Sequence, residues 1–138
     1  MTKRSELKPI SPQALAAFKK HRLNIIQMVV TRSMKNMDEV PQHGDKTEEL
    51  LTTGLDFTTQ ALEVSMQLGN IDIFEIQLQW ALDRLPHVGV QPQHLLSLFK
   101  ILAEVIQSIL PAQVTREVYP FVTWLINREN ELIQERVK

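Results

Sequence analysis

The sequence predicts a single all-α domain of about five main helices, and three observations support this fold class. The chain has 138 residues, which is the size of one ordinary domain. Only four residues are glycine, and the prolines stand where apolar segments begin or end, as they do at helix boundaries. Between these breaks, apolar residues recur at steps of three and four, the spacing of one face of an α-helix.

The first predicted helix covers residues 11–35 and follows a flexible N-terminal segment, residues 1–10. Ser11 followed by Pro12 is the pattern of a helix N-cap with proline at the first helical position. The apolar stripe of this helix consists of Leu15, Phe18, Ile25, Ile26 and Val29.

The second predicted helix covers residues 46–68, with Asp45 as its N-cap, and carries two apolar stripes. The first stripe consists of Leu50, Phe57, Ala61, Val64 and Leu68, and the second consists of Leu51, Leu55, Leu62 and Met66. Gly54, Thr58 and Ser65 lie between the stripes and are small enough to let another helix cross closely.

The third predicted helix, residues 70–86, also has two apolar stripes, and Asn70 can cap its start. One stripe consists of Ile71, Phe74, Leu78, Ala81, Leu82 and Leu85, and the other consists of Ile73, Ile76 and Trp80. A helix with two apolar stripes needs two packing partners. The fourth predicted helix, residues 91–110, is apolar around more than half of its circumference, so we expect it at the centre of the core.

The fifth predicted helix covers residues 112–137. Pro120 lacks a backbone N–H and should kink this helix or mark its true start. The end of the helix alternates in charge, so we expect it to project into solvent or along a partner. The neighbouring residues Arg116 and Glu117, and likewise Arg128 and Glu129, have the pattern of surface ion pairs.

The charge is unevenly distributed along the chain. The net charge is −1, yet residues 1–35 hold eight basic residues and one acidic residue, a formal charge of +7. Such a segment can bind nucleic acid or anionic lipid, or it can pair with the acidic remainder of the chain. We do not expect nucleic acid as a partner, because the basic residues are not interleaved with aromatic residues that would stack on bases.

The composition also predicts where the protein works. No window approaches the roughly 20 apolar residues that span a bilayer, so we expect a soluble protein without a membrane partner. The chain has no cysteine, which excludes disulfides, zinc–thiolate sites and thioether-linked cofactors. The N-terminus lacks the apolar run of a secretory signal. These features fit a cytoplasmic protein.

The sequence contains no pattern of a catalytic site. The nucleophile elbow, the phosphate-binding glycine loops and the zinc-protease helix motif are all absent. His87 and His94 flank a corner at residues 89–92, and their spacing matches no recognised metal site. We therefore predict a non-enzymatic protein with no metal and no cofactor, and His87 is the one residue that we consider as a haem ligand.

One stretch resembles a known family. Residues 82–110, LDRLPHVGVQPQHLLSLFKILAEVIQSIL, are similar to the end of the proximal helix, the corner and the following helix of globins. The matching features are Gly89-Val90, Pro92 and the apolar run that follows them. The resemblance extends over about residues 46–137 and implies a globin-like helical bundle, with residues 112–137 as the last globin helix.

The chain departs from this family at the haem ligand. In sensor globins the haem-binding histidine stands four residues before the corner glycine, which is the position of Leu85 here. His87 lies two residues later, so on a helix its side chain would be turned by about 200°. The sequence is therefore more similar to the haem-free sensor-globin domains at the N-terminus of bacterial stressosome regulators. That resemblance implies a dimer and, because no output domain follows Lys138, a free-standing sensor or a partner-binding subunit.

Three functions remain open from the sequence, of which the least favoured is a small helical enzyme or a nucleic-acid binder that uses the basic first helix. The first is a regulatory or sensory protein-interaction module acting as a homodimer, with a possible regulatory protein as partner. Its predicted interface consists of Ile73, Ile76, Trp80, Val118, Tyr119, Phe121, Trp124 and Leu125. In a compact bundle, these two apolar stripes could instead be buried internally. The second function is a ligand carrier for haem, a bilin or a fatty acid, with His87 and the flexible methionines Met28, Met34 and Met66 lining its pocket.

Overall fold

The computed structural model describes residues 7–35, 46–88 and 90–137. Within these ranges the chain forms α-helices and one 3-10 segment and contains no β-strand, which confirms the all-α prediction. The helices are α1 (Pro12–Lys35), α2 (Thr47–Leu68), α3 (Asp72–Arg84), α4 (Pro92–Ile109) and α5 (Ala112–Val137), and the 3-10 segment is Leu85–Val88. None of the described helices combines the length and the apolar character needed to cross a membrane.

Some helix ends differ from the predicted ones, and the residues at those ends explain the differences. α3 ends at Arg84 and continues as the 3-10 segment, because Pro86 has no N–H to continue the α-helical bonding. Pro120, by contrast, lies inside α5 and does not mark its start. The predicted cap Asp45 lies outside the described residues, and the residue before α2, Lys46, makes no side-chain capping bond.

The core lies between α1, α2, α4 and α5: α1 packs against the other three helices, and α5 packs against α4 and α2. The buried residues of α4 are Leu98, Phe99, Ile101, Leu102, Ala103, Val105 and Ile106. Those of α5 include Val118, Phe121, Val122, Trp124, Leu125 and Leu132. Burying a Leu or Phe side chain contributes about 1.5–3 kcal/mol, so these two helices supply much of the stabilisation. The predicted central role of α4 is thus shared with α5.

The charged end of α5 packs against the bundle as far as Ile133, whereas we expected it to project into solvent or along a partner. Leu132 and Ile133 are buried, and so is Glu129. Leu132 belongs to the same apolar cluster as the rest of α5. The helix therefore packs against the bundle well beyond the point where its sequence becomes rich in charge.

The expected flexibility of residues 1–10 does not extend to residues 7–10. Leu7 and Ile10 are buried in the apolar core, and the Ile10 N–H donates to the Met66 carbonyl oxygen at 2.9 Å. The segment before α1 is thus held against the end of α2.

A carboxylate from α5 completes the N-cap of α1. As predicted, the Ser11 hydroxyl caps the helix, accepting from the Ala14 N–H at 3.2 Å. In a capping box, a Glu three residues after the cap would accept from the cap residue's own N–H. Ala14 occupies that position here, and Glu117 takes over the role. It accepts from the Ser11 N–H at 2.8 Å and from the Ser11 hydroxyl at 2.9 Å. The cap therefore joins α1 to α5.

Gly69 makes the tight turn between α2 and α3. Its φ is +64°, a left-handed conformation that L side chains adopt at a cost. The chain reverses here while Pro9 lies against the turn, so a Cβ on Gly69 would stand 2.6 Å from the Pro9 nitrogen. The Asn70 side chain then accepts from the Asp72 N–H at 2.8 Å. The N-cap of α3 is Ile71, which makes no side-chain capping bond, so the predicted cap Asn70 stands one residue before it.

We predict that Gly69→Ala destabilises the fold by at least about 1–2 kcal/mol, because left-handed backbone is strained for alanine and the new methyl group overlaps Pro9. Urea unfolding at low micromolar concentration measures the change. Gly54→Ala is the matched control: a Cβ there meets nothing within 4 Å, and alanine is favoured in a helix interior by about 1 kcal/mol. Equal stability of the two variants would contradict this account of the turn.

Candidate interaction surface

The two apolar stripes of α2 have opposite environments. Leu51, Leu55, Leu62 and Met66 are buried in the bundle. Most of the other stripe is exposed, and we call its large exposed members the α2 row. The α2 row consists of Leu50, Phe57, Val64 and Leu68, with exposed fractions of 45, 65, 39 and 60%. Ala61, the remaining member of that stripe, is buried at the edge of the row.

α3 repeats this arrangement. Phe74, Leu78 and Leu82 are buried. The residues that we call the α3 row are Ile73, Ile76 and Trp80, which are 38, 71 and 58% exposed. α3 packs against α2 and follows it after a turn of three residues, so the two rows lie on adjoining helices. Together they form what we call the apolar face.

An ion pair fixes the orientation of α3. The Arg128 Nε of α5 donates to the Glu75 Oε1 of α3 at 2.7 Å, and this hydrogen bond raises the pKa of Arg128. Glu75 is turned by about 200° from Ile73 and by about 100° from Ile76 around the helix. The bond therefore anchors α3 on a side other than that of the α3 row.

A second set of polar contacts fixes α2 against α1. Arg22 of α1 donates to Asp56 at 2.5 Å and to the Thr59 hydroxyl at 3.3 Å, and its Nε lies 3.4 Å from Glu63. The hydrogen bond from Arg22 lowers the pKa of Asp56. Asp56 and Glu63 of α2 are therefore turned toward α1 and away from the α2 row.

The α5 part of the predicted interface is corrected by the structure. Val118, Phe121, Trp124 and Leu125 are buried in the core of the single chain, and Tyr119 is half-buried against it. Their stripe faces inward because α5 packs on α4, α1 and α2. The α3 part of the prediction, Ile73, Ile76 and Trp80, is at the surface.

The corner after α3 offers little room for a ligand. A depression of about 150 Å³, including open solvent, is lined by Ala81, Leu82, Leu85, Pro86, Val90, Gln91, Pro92 and Leu95. Ligand pockets usually measure about 300–1,000 Å³, so the depression is too small to enclose a haem. His87 is exposed on the 3-10 segment and is not among the lining residues. The structure thus places the candidate haem ligand outside any enclosure that the described residues form at this corner.

The other histidine at the corner has a structural role. The His94 Nδ1 accepts from the Gln91 N–H at 3.1 Å at the start of α4. Among the described residues, no group of three or more His, Asp or Glu side chains is placed to hold a metal ion.

The basic N-terminal segment is partly neutralised by the acidic remainder of the chain. Besides the contacts of Arg22, the Arg32 guanidinium lies 3.9 Å from Glu104 of α4. Lys8, Lys19, Lys20 and Lys35 are exposed. The positive charge of α1 therefore serves in part to hold this helix to its neighbours.

Sequence reasoning missed the roles of two glutamates. Glu117 is not a surface partner of Arg116 but the acceptor for Ser11. The sequence hints at this role through the capping pattern: Ala14 stands where a capping box has Glu, and its side chain cannot accept from the Ser11 N–H, so another residue has to. Glu129 is buried. Its burial could have been predicted from its spacing of four and seven residues from Leu125 and Val122, which puts it on the apolar stripe of α5.

Comparison of the chain with protein families, curated proteins and solved structures finds no match.

We predict a pH-dependent effect of Asp56→Asn. The pKa of Asp56 is lowered by folding, so its contact with Arg22 stabilises the protein above the pKa of the unfolded chain, about 4. This contribution is lost as the pH falls through the lower folded pKa. Thermal melting should show the Asp56→Asn variant to be less stable than wild type at neutral pH, with the difference shrinking as the pH falls below about 4 and vanishing only below the lower folded pKa. Glu49→Gln, on the exposed side of α2, controls for the loss of one negative charge; an equal effect there would contradict the specific role of Asp56.

Proposed function

We propose that this chain is a non-enzymatic protein-interaction module that acts as a homodimer through its apolar face. The observation that carries the proposal is the exposure of the α2 row and the α3 row on adjoining helices. Water contact with large apolar side chains is unfavourable, and monomeric proteins rarely expose large contiguous apolar patches. A second copy of the chain would remove both rows from water.

The size of the apolar face supports a protein partner. From the exposed fractions of their seven side chains, the two rows present roughly 700 Å² of surface. A standard protein interface buries about 800 Å² on each partner, and the largest apolar patch of a typical monomer is about 300–600 Å². The face is therefore large enough to form most of one interface.

The chemistry of the apolar face also fits an interface. Phe57 and Trp80 supply aromatic rings, and aromatic residues are enriched among the residues that dominate binding energy. The Arg84 guanidinium lies 5.8 Å from the centre of the Trp80 ring, a cation–π geometry that places a charge at the rim. An apolar centre with a charged rim is the usual composition of a protein interface.

The sensory or regulatory part of the proposal rests on the resemblance to haem-free sensor-globin domains. Leu85 stands where a haem-binding sensor globin has histidine, and it is half-buried beside the small depression at the corner. In this proposal the dimer passes a signal to a regulatory protein partner in the cytoplasm, a location that the absence of cysteine supports. No feature of the described residues favours the ligand-carrier alternative, since Met66 is buried in the core and Met28 is partly exposed.

We predict that the wild-type chain sediments as a dimer at high micromolar concentration and dissociates on dilution. Phe57→Glu and Ile76→Glu each place a charge on the most exposed part of one row, so each should weaken the dimer at least tenfold, about 1.4 kcal/mol. Sedimentation velocity over a concentration series measures both effects, and circular dichroism checks that the helices are retained.

Met28→Glu is the matched control. Met28 is 37% exposed, and it lies beside Ser108 of α4, on another side of the bundle. It should leave the dimer unchanged. A wild-type chain that is monomeric at high micromolar concentration would overturn the proposed function, and so would variants of the face that dimerise as well as wild type.

A further inference from the structure

We propose that two copies of the chain pair through α2, antiparallel, about a two-fold axis at the level of residue 59. This inference rests on the proposed function and specifies its geometry. Its starting point is the order of large and small side chains along the exposed side of α2.

The exposed side of α2 has a regular repeat. The residues along it stand at alternating steps of four and three: Leu50, Gly54, Phe57, Val64 and Leu68 are exposed, and Ala61 is buried within its own chain. A seven-residue repeat of this kind keeps one narrow seam on a helix facing the same partner helix along its length. The buried stripe of α2 lies on the other side, and the large side chains of this seam, Leu50, Phe57, Val64 and Leu68, are exposed in the single chain, so they can meet a helix from outside the chain.

The seam has the same spacing when it is read in reverse. In an antiparallel pair centred at residue 59, Gly54 therefore lies opposite the partner's Val64. Ala61, which is buried in its own chain, then lies at the level of the partner's Phe57. At both levels a large side chain stands against a small one, and interdigitating large and small side chains is how helices fill the space between them.

The ends of the seam complete the match. Leu50 lies opposite Leu68 of the partner subunit, so both ends of the pair are closed by two leucines. A two-fold axis requires one surface to complement itself, and this seam does so. In a parallel pair in register, by contrast, Phe57 would meet Phe57 of the partner subunit, while the two glycines would leave a gap.

Gly54 supplies an independent observation. Glycine is disfavoured in the middle of a helix, and nothing in this chain requires it at residue 54. A Cβ there meets no atom within 4 Å, and the φ of Gly54 is not positive. The close approach of the partner's α2 explains why residue 54 is a glycine.

The charges of α2 allow the pairing. Asp56 and Glu63 face Arg22 of α1, so neither points toward the seam. Of the residues that flank the seam, Thr53, Gln60 and Gln67 are uncharged, and the acidic Glu49 lies near the start of α2, at the level of Gly69 of the partner subunit. Antiparallel helices can therefore approach along α2 without bringing like charges together.

The first test is a size swap across the pair. Gly54→Val puts two valines opposite each other and should raise the dimer dissociation constant at least tenfold, while adding Val64→Ala should restore most of the affinity. Thr52→Val is the control, because Thr52 is exposed on α2 but lies two positions, about 200°, from Gly54 around the helix. Circular dichroism should show that all variants keep their helices. A Gly54→Val chain that dimerises as well as wild type would overturn the pairing.

The second test measures the direction of the helices. The chain has no cysteine, so Glu49→Cys and Gln60→Cys each carry one spin label per copy, on the same side of α2. Antiparallel pairing at residue 59 should hold the two labels at 60 close together and those at 49 about 30 Å apart along the helices. Equally short distances at both positions would indicate a parallel pair and would overturn the inference.

These outcomes separate the two proposals. A wild-type chain that never dimerises contradicts the proposed function and the pairing together. A dimer that is weakened by Ile76→Glu but is unaffected by Gly54→Val contradicts only the pairing, and it would assign the contact to the α3 row.

Discussion

The burial of Leu51, Leu55, Leu62 and Met66 against the bundle is the interaction on which the other features depend. Because an α-helix is rigid in cross-section, packing one stripe inward directs the opposite stripe outward. α2 carries large apolar residues on both sides. Packing its inner side against the bundle therefore leaves Phe57 and the other residues of the α2 row exposed to water. The exposure of the α2 row therefore results from the packing of the core.

Polar contacts then fix the rotation of the helices about their axes. Arg22 of α1 donates a hydrogen bond to α2, and Arg128 of α5 donates one to Glu75 of α3. Ser11 and Glu117 join the start of α1 to α5 in the same way. Each contact is only partly buried and modest in energy, yet each one removes a sliding or rotating motion. Together they present the two rows as one preformed surface, which lowers the entropy cost of binding.

The helices could be predicted from the sequence because their start and stop signals are local, as at Ser11-Pro12. The choice between the two stripes of α2 could not, since both have helical spacing and only the positions of other helices decide which one is buried. For the same reason Val118 and Trp124 of α5 had the pattern of an interface, although they form the core. Glu117 acts across 106 residues of sequence, and long-range contacts of this kind have no local signal.

The most direct test of the central claim is hydrogen–deuterium exchange of the wild-type chain at low and at high micromolar concentration. Burial of the apolar face by a second copy stabilises the helices that carry it, so amides of α2 and α3 should exchange more slowly at the higher concentration. Amides of α5, whose apolar stripe is already internal, should change least. Exchange that is independent of concentration in α2 and α3, or slowed mainly in α5, would contradict the assignment of the interface to this face.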